Sequence, residues 1–116
     1  MLPLLIALLT APPVETDAAA EAKHLGNIRQ VTSGLPRAGE GYFSPDGKSI
    51  IYQAVPPGYP FYQIYTQQLS GGGEPRQLST GRGRTTCSYF SPDQKRILFA
   101  STHSDPDLDG SERKAR

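Results

Sequence analysis

Tryptophan is absent from this chain, and cysteine, methionine and histidine are almost so. The 116 residues hold one cysteine, one methionine and two histidines. A lone Cys87 excludes an internal disulfide and leaves either a small buried hydrophobe or a free thiol. It stands where a strand begins, so burial is expected. Neither histidine has a partner at metal-ligand spacing: His24 falls in a linker, and His103 sits just past a strand, beside Ser104 and Asp105. An excess of one charge is also missing. Twelve basic residues face eleven acidic ones, for a net charge of +1, so nothing pulls the whole chain toward nucleic acid or an anionic membrane. Long apolar runs are lacking too. Residues 2–9 (LPLLIALL) fall well short of the roughly 20 apolar residues that a bilayer span needs.

That short run has a use of its own. Small residues follow it, and both Ala18-Ala19-Ala20 and Ala20-Glu21-Ala22 fit an A-x-A cleavage pattern. Residues 1–22 therefore read as a signal segment, cut after Ala20 or Ala22, with residues 23–27 as a linker. The expected location is periplasmic or extracellular, with no membrane span after removal of the signal. No Lys or Arg precedes the apolar run, where a signal segment usually carries one.

What the chain has in plenty is turn formers: twelve glycines and eleven prolines, with six tyrosines. Many turns between short strands are the natural reading. The pattern is also repeated. Residues 41–54 (GYFSPDGKSIIYQA) return as residues 88–101 (SYFSPDQKRILFAS), with Tyr42 and Tyr89 47 positions apart. Arg29-Gln30-Val31-Thr32 returns at the same offset as Arg76-Gln77-Leu78-Ser79. Two blocks in register at one spacing mark a repeat architecture.

Within the first unit, residues 40–44 read as a strand, closed by the turn Ser44-Pro45-Asp46-Gly47. Pro45 presets φ, Asp46 can bond back to the backbone, and Gly47 supplies the positive φ that returns the chain. Residues 49–55 (SIIYQAV) form the next strand, with Ile50, Tyr52 and Ala54 on one face and Ile51 and Val55 on the other. Apolar residues on both faces require the sheet to be covered on both sides. After the break Pro56-Pro57-Gly58-Tyr59-Pro60, residues 61–69 resume as a strand, residues 70–74 turn, and residues 75–79 form an edge strand. Residues 28–32 read as a further short strand equivalent to that edge.

Four antiparallel strands in about 40–45 residues describe one blade of a β-propeller. The expected fold is all-β: antiparallel propeller blades within residues 28–101, one full blade at residues 40–79 and a partial blade at residues 87–101. About one and a half four-stranded blades make an incomplete propeller. In the second unit Gln94 stands where Gly47 stood, so it must adopt positive φ at a cost of about 1 kcal/mol. Residues 102–116 are charged, lack apolar periodicity, and read as a disordered tail.

The residues YFSPDGKSIIYQA, followed by IYTQQLSGGGEPRQLST, resemble the TolB-type β-propeller repeat. The positions that carry the resemblance are Ser44, Pro45, Asp46 and Gly47, then Ile64, Tyr65 and Leu69, then Arg76, Leu78 and Ser79. The resemblance implies a periplasmic, non-catalytic module that binds other proteins, envelope components among them. The same repeats form the propeller that precedes the catalytic domain of some serine peptidases, which gives an alternative role. In either case further blades or self-association must cover the sheet faces.

Chemistry finds little support. No G-x-S-x-G elbow and no G-x-x-x-x-G-K-[ST] loop is present, so no catalytic or cofactor-binding residue is assigned, no cofactor is expected, and the chain reads as a non-enzyme. Asp105, Asp107, Asp109 and Gly110 match the start of a calcium loop, but Arg113 and Arg116 stand at its ninth and twelfth positions. A solvated acidic turn is the better reading, and no metal ligand is assigned. Arg82-Gly83-Arg84 is a small basic loop without aromatic interleaving, so nucleic acid is not an expected partner. Tyr42 and Tyr89 are expected at a core or blade interface, while Tyr52, Tyr59, Tyr62 and Tyr65 could line a binding surface.

Overall fold

A computed structural model describes residues 18–116. The apolar run at residues 2–9 lies outside the described residues, as does all of the expected signal segment except residues 18–22. The first described turn is a short helix, α1 (Ala18–Glu21).

Six strands follow, in two antiparallel sheets. The first sheet is a meander of β1 (Arg37–Phe43), β2 (Ser49–Val55), β3 (Gln63–Gln68) and β4 (Arg76–Gln77), hydrogen-bonded in that order. The second holds β5 (Thr85–Phe90) and β6 (Ile97–Ser101). An all-β architecture is what the turn-rich sequence predicts, and β2 matches its expected bounds.

The turns explain why the two hairpins look alike. After β1, the Ser44 hydroxyl donates to Asp46 Oδ1 at 2.6 Å, Lys48 N donates to the same oxygen at 3.1 Å, and Gly47 N donates to Ser44 O at 2.8 Å. After β5, Ser91 donates to Asp93 Oδ1 at 2.5 Å, Lys95 N to that oxygen at 3.1 Å, and Gln94 N to Ser91 O at 2.9 Å. These hydrogen bonds, the hydroxyl's first, hold the carboxyls of Asp46 and Asp93 below the usual range. Gly47 sits at φ +68 and Gln94 at φ +57. Gln94→Gly is therefore expected to be neutral or to stabilise by up to about 1 kcal/mol. Thermal unfolding checks this, and a clear loss of stability would show that the two turns bear different loads.

A second shared feature is a β-bulge. The β1–β2 register breaks between Gly39 and Tyr42, and the β5–β6 register between Thr86 and Tyr89. Glu40 takes φ 49 in the first and Cys87 takes φ 53 in the second, at equivalent positions. An extra residue in one strand turns its neighbours relative to the ladder. Cys87 is exposed as a result, which corrects the expectation of burial.

The second sheet lies across one face of the first, with β5 over β2 and β3. Ile51 and Ile64 are fully buried beneath it, each at 0% exposure. Thr85 N donates to Tyr62 O at 3.1 Å, and the Thr86 hydroxyl donates to Gln53 Oε1 at 2.7 Å. On the opposite face Ile50, Tyr52, Ala54 and Tyr65 form a cluster, with Val31, Leu35 and Leu69 packed against it. Both faces of β2 are thus covered, as its apolar residues on both sides require.

Several boundaries and two assignments need correction. β1 begins at Arg37, three residues before the expected start at residue 40, and β4 has two residues rather than five. Residues 28–32 form no strand. Among the described residues no strand pairs with this segment to accept its backbone hydrogen bonds. Its Val31 packs on the core while Ile28 stays exposed. Residues 102–116 are not disordered: helix α2 (Leu108–Lys114) forms there. Asp107 caps it by accepting from Gly110 N at 3.3 Å, Asp109 lies in the first turn, and Arg113 and Lys114 lie in the last. These charges suit the helix dipole. Leu108 buries its side chain to 5% exposure and fixes the helix to the body.

Candidate interaction surfaces

The repeat makes it possible to compare equivalent positions. Ile51 on β2 corresponds to Leu98 on β6. Ile51 is sealed under the second sheet, whereas Leu98 is 72% exposed. Opposite Leu98 stands Tyr89, also exposed, as Tyr42 stands opposite Ile51. The outer face of the second sheet therefore leaves open, at Leu98, the position that the first sheet buries at Ile51. On the far side of the first sheet Phe43 is 67% exposed, while its equivalent Phe90 is partly covered between the sheets. One unpartnered apolar residue thus marks each end of the stack.

Tyr42 and Tyr89 meet across the sheets, as an interface role predicts. Their rings lie 4.3 Å apart, and the Tyr89 hydroxyl donates to the Tyr42 hydroxyl at 3.0 Å. That hydrogen bond, then burial, pushes Tyr42 up to about 12. Tyr52 and Tyr65 are core residues, stacked at 6.1 Å, with the Tyr52 hydroxyl on Gln67 Oε1 at 3.1 Å. Tyr59 faces helix α2.

At one end of the seam the strand connections build a polar hub around Gly83. Its N–H donates to Glu112 Oε1 at 3.0 Å, and its carbonyl accepts from Gln63 Nε2 at 2.7 Å. Gly83 has φ +75, and a Cβ there would lie 2.6 Å from His103 N, so only glycine fits. The Tyr59 hydroxyl also donates to Glu112. Burial and then this hydrogen bond raise Tyr59 to about 12. The same bond is the chief reason that the Glu112 carboxyl lies below its ordinary range. Arg82 pairs with Asp109 at 3.7 Å, and Arg84 lies over the Phe61 ring at 5.9 Å. Both arginines of the basic loop thus face residues of this chain, the Arg82–Asp109 pair on the exposed surface.

The attachment of helix α2 through Glu112 is therefore expected to respond to pH. A carboxyl with a depressed folded pKa contributes stability above the ordinary carboxylate range and loses it as pH falls through the folded value. Acidification should lower the exchange protection of the Gly83 amide, relative to the free-chain rate at the same pH, before that of the sheet amides of Ile51 or Ile64. Exchange measured by NMR from neutral pH downward checks this, and simultaneous loss of all three would count against a separate attachment.

The acidic motif is likewise built into the fold. Asp105 Oδ1 accepts from Asp107 N at 2.9 Å, and its Oδ2 accepts from the Ser111 hydroxyl at 2.7 Å. With Asp107 on the helix cap and Asp109 on Arg82, the three carboxylates point to separate partners. Among the described residues no three His, Cys, Asp or Glu side chains are grouped to hold a metal ion. His24 is exposed, and His103 Nδ1 lies 2.8 Å from the Ser101 hydroxyl.

At the other end of the seam lies a groove of about 540 Å³ that the sequence did not announce. Thr66, Leu78, Phe90 and Ile97 line it, together with Arg76, Lys95, Arg96 and Glu74. Arg76 pairs with Thr66 across β3–β4 and Ile97 with Phe90 across β5–β6, so each sheet contributes one wall. The cations come from separate units, which is why no charge run betrays the groove in the sequence. Comparison with protein-family models, curated proteins and solved structures gives no match for this chain. Among the described residues no helix is long and apolar enough to cross a membrane.

Proposed function

We propose that this chain is a TolB-like propeller segment, exported by its apolar N-terminus, that works as a non-catalytic protein-interaction module. The observation that supports this is the contrast between Ile51 and Leu98. The position that is fully buried in the first sheet, Ile51, is open to solvent on the outer face of the second, at Leu98. The natural occupant of that face is another sheet of the same kind, since β5–β6 already sits on β2 in that way. Exposed edges of this type are completed by added repeats.

Where no further repeat follows in the chain, a second copy supplies it, with its Phe43 face placed on the Leu98 face. Contact of this head-to-tail kind closes into a ring or extends, as propeller blades do. Light scattering after size exclusion tests this with the purified chain. Concentration-dependent association is expected, and the pair Phe43→Lys with Leu98→Lys should leave a folded monomer. A wild-type chain that stays monomeric at high concentration with a cooperative melt would overturn the reading, because the open face would then need no cover.

A further inference from the structure

We propose that the groove between the two sheets binds an extended acidic peptide segment, one that carries carboxylates around an apolar side chain. This deepens the protein-interaction reading and rests on it for the class of partner. Three cations, Arg76, Lys95 and Arg96, share this groove with one carboxylate, Glu74. Among the described residues none of the three is ion-paired; the one salt bridge there joins Arg82 to Asp109. Two other basic side chains are engaged within the chain, Arg82 on Asp109 and Arg84 on Phe61. Cations left without partners on a concave surface raise the local concentration of anionic ligands. Arginine, moreover, presents a planar fork suited to a carboxylate.

The floor decides between kinds of anion. Leu78, Phe90 and Ile97 are only partly covered and line the groove beneath the charged rim. A polyphosphate backbone would gain nothing from that apolar floor and would meet Glu74. A peptide alternating acidic and apolar side chains matches both layers, with its carboxylates on Arg76, Lys95 and Arg96 and its apolar residue on Phe90 and Ile97. Amides and hydroxyls of Gln68, Gln94 and Ser49 also line the groove, and these can bond to a peptide backbone.

The test uses the full chain and a fluorescein-labelled peptide of alternating Glu and Leu, followed by fluorescence anisotropy. Saturable binding that weakens with added salt is expected. Arg76→Glu and Lys95→Glu should each raise Kd by about tenfold or more, whereas Arg37→Glu, the same charge change outside the groove, should leave it unchanged. Circular dichroism of every variant confirms the fold, and Arg76→Gln, which only removes charge, should fall between wild type and Arg76→Glu. Equal binding of the Gln-and-Leu peptide, tighter binding of a single-stranded oligonucleotide, or indifference to the two reversals would each overturn the proposal. Loss of peptide binding with head-to-tail association intact removes this inference alone. Loss of association with peptide binding intact removes only the propeller reading.

Discussion

Gln63→Leu is expected to destabilise the protein by about 3 kcal/mol, because it strips partners from the groups around it, most of which have no other. Gln63 has no exposed surface. Its Nε2 donates to Tyr62 O at 2.9 Å and to Gly83 O at 2.7 Å, while its Oε1 accepts from the Ser79 hydroxyl at 2.7 Å and from Gly81 N at 3.0 Å. One amide thereby ties β3 to the connection that leads into β5. After substitution Tyr62 O retains Thr85 N and its hydroxyl. Gly83 O keeps only a 3.4 Å approach from the Tyr59 hydroxyl, whose single proton is given to Glu112. Gly81 N and the Ser79 hydroxyl lose their acceptor. Each stranded buried group costs about 1–3 kcal/mol, and leucine's better transfer into the interior offsets part of that sum. Urea unfolding measures the result. A loss under about 1 kcal/mol would show that the connection relaxes to water and that the hub holds little of the fold.

How much of this could be read from the residues depends on the range of the interactions. The Ser-Pro-Asp turns were legible because every bond in them joins residues within five positions of one another. The positive φ of Gln94 followed from the same local logic. The bulge was not legible: Glu40 and Cys87 are poor residues for positive φ, and only pairing with β2 and β6 places them there. Exposure of Cys87 went with it. For residues 28–32 the pattern matched a strand, yet a strand needs an edge to pair with, and that is a non-local fact. Helix α2 was missed for the opposite reason. Its signals were present, with Asp107 at the cap and Arg113 and Lys114 in the last turn, but one buried leucine gives no periodicity to detect. The groove was hidden because Arg76, Lys95 and Arg96 meet only once the second sheet is laid on the first.

The same reasoning predicts opposite results for one substitution made at two equivalent sites. Ile51→Ala should cost about 3 kcal/mol, within the range of about 2–5 seen when a large aliphatic side chain is removed from a packed interior. Ile51 has 0% exposure and lies under β5, so its loss leaves a void that two hydrogen-bonded sheets cannot easily close. Leu98→Ala, on the open face at 72% exposure, should change stability by no more than about 0.5 kcal/mol in dilute solution. The difference is not one of sequence, since the two residues occupy the same place in the repeat. It is one of cover. If a second copy or a further repeat settles on the outer sheet, Leu98 becomes what Ile51 already is, and the cost of Leu98→Ala should rise with protein concentration by mass action. Melts of both variants across a dilution series separate the cases. A Leu98→Ala penalty that is large when dilute and flat with concentration would mean that its face is already packed within one chain.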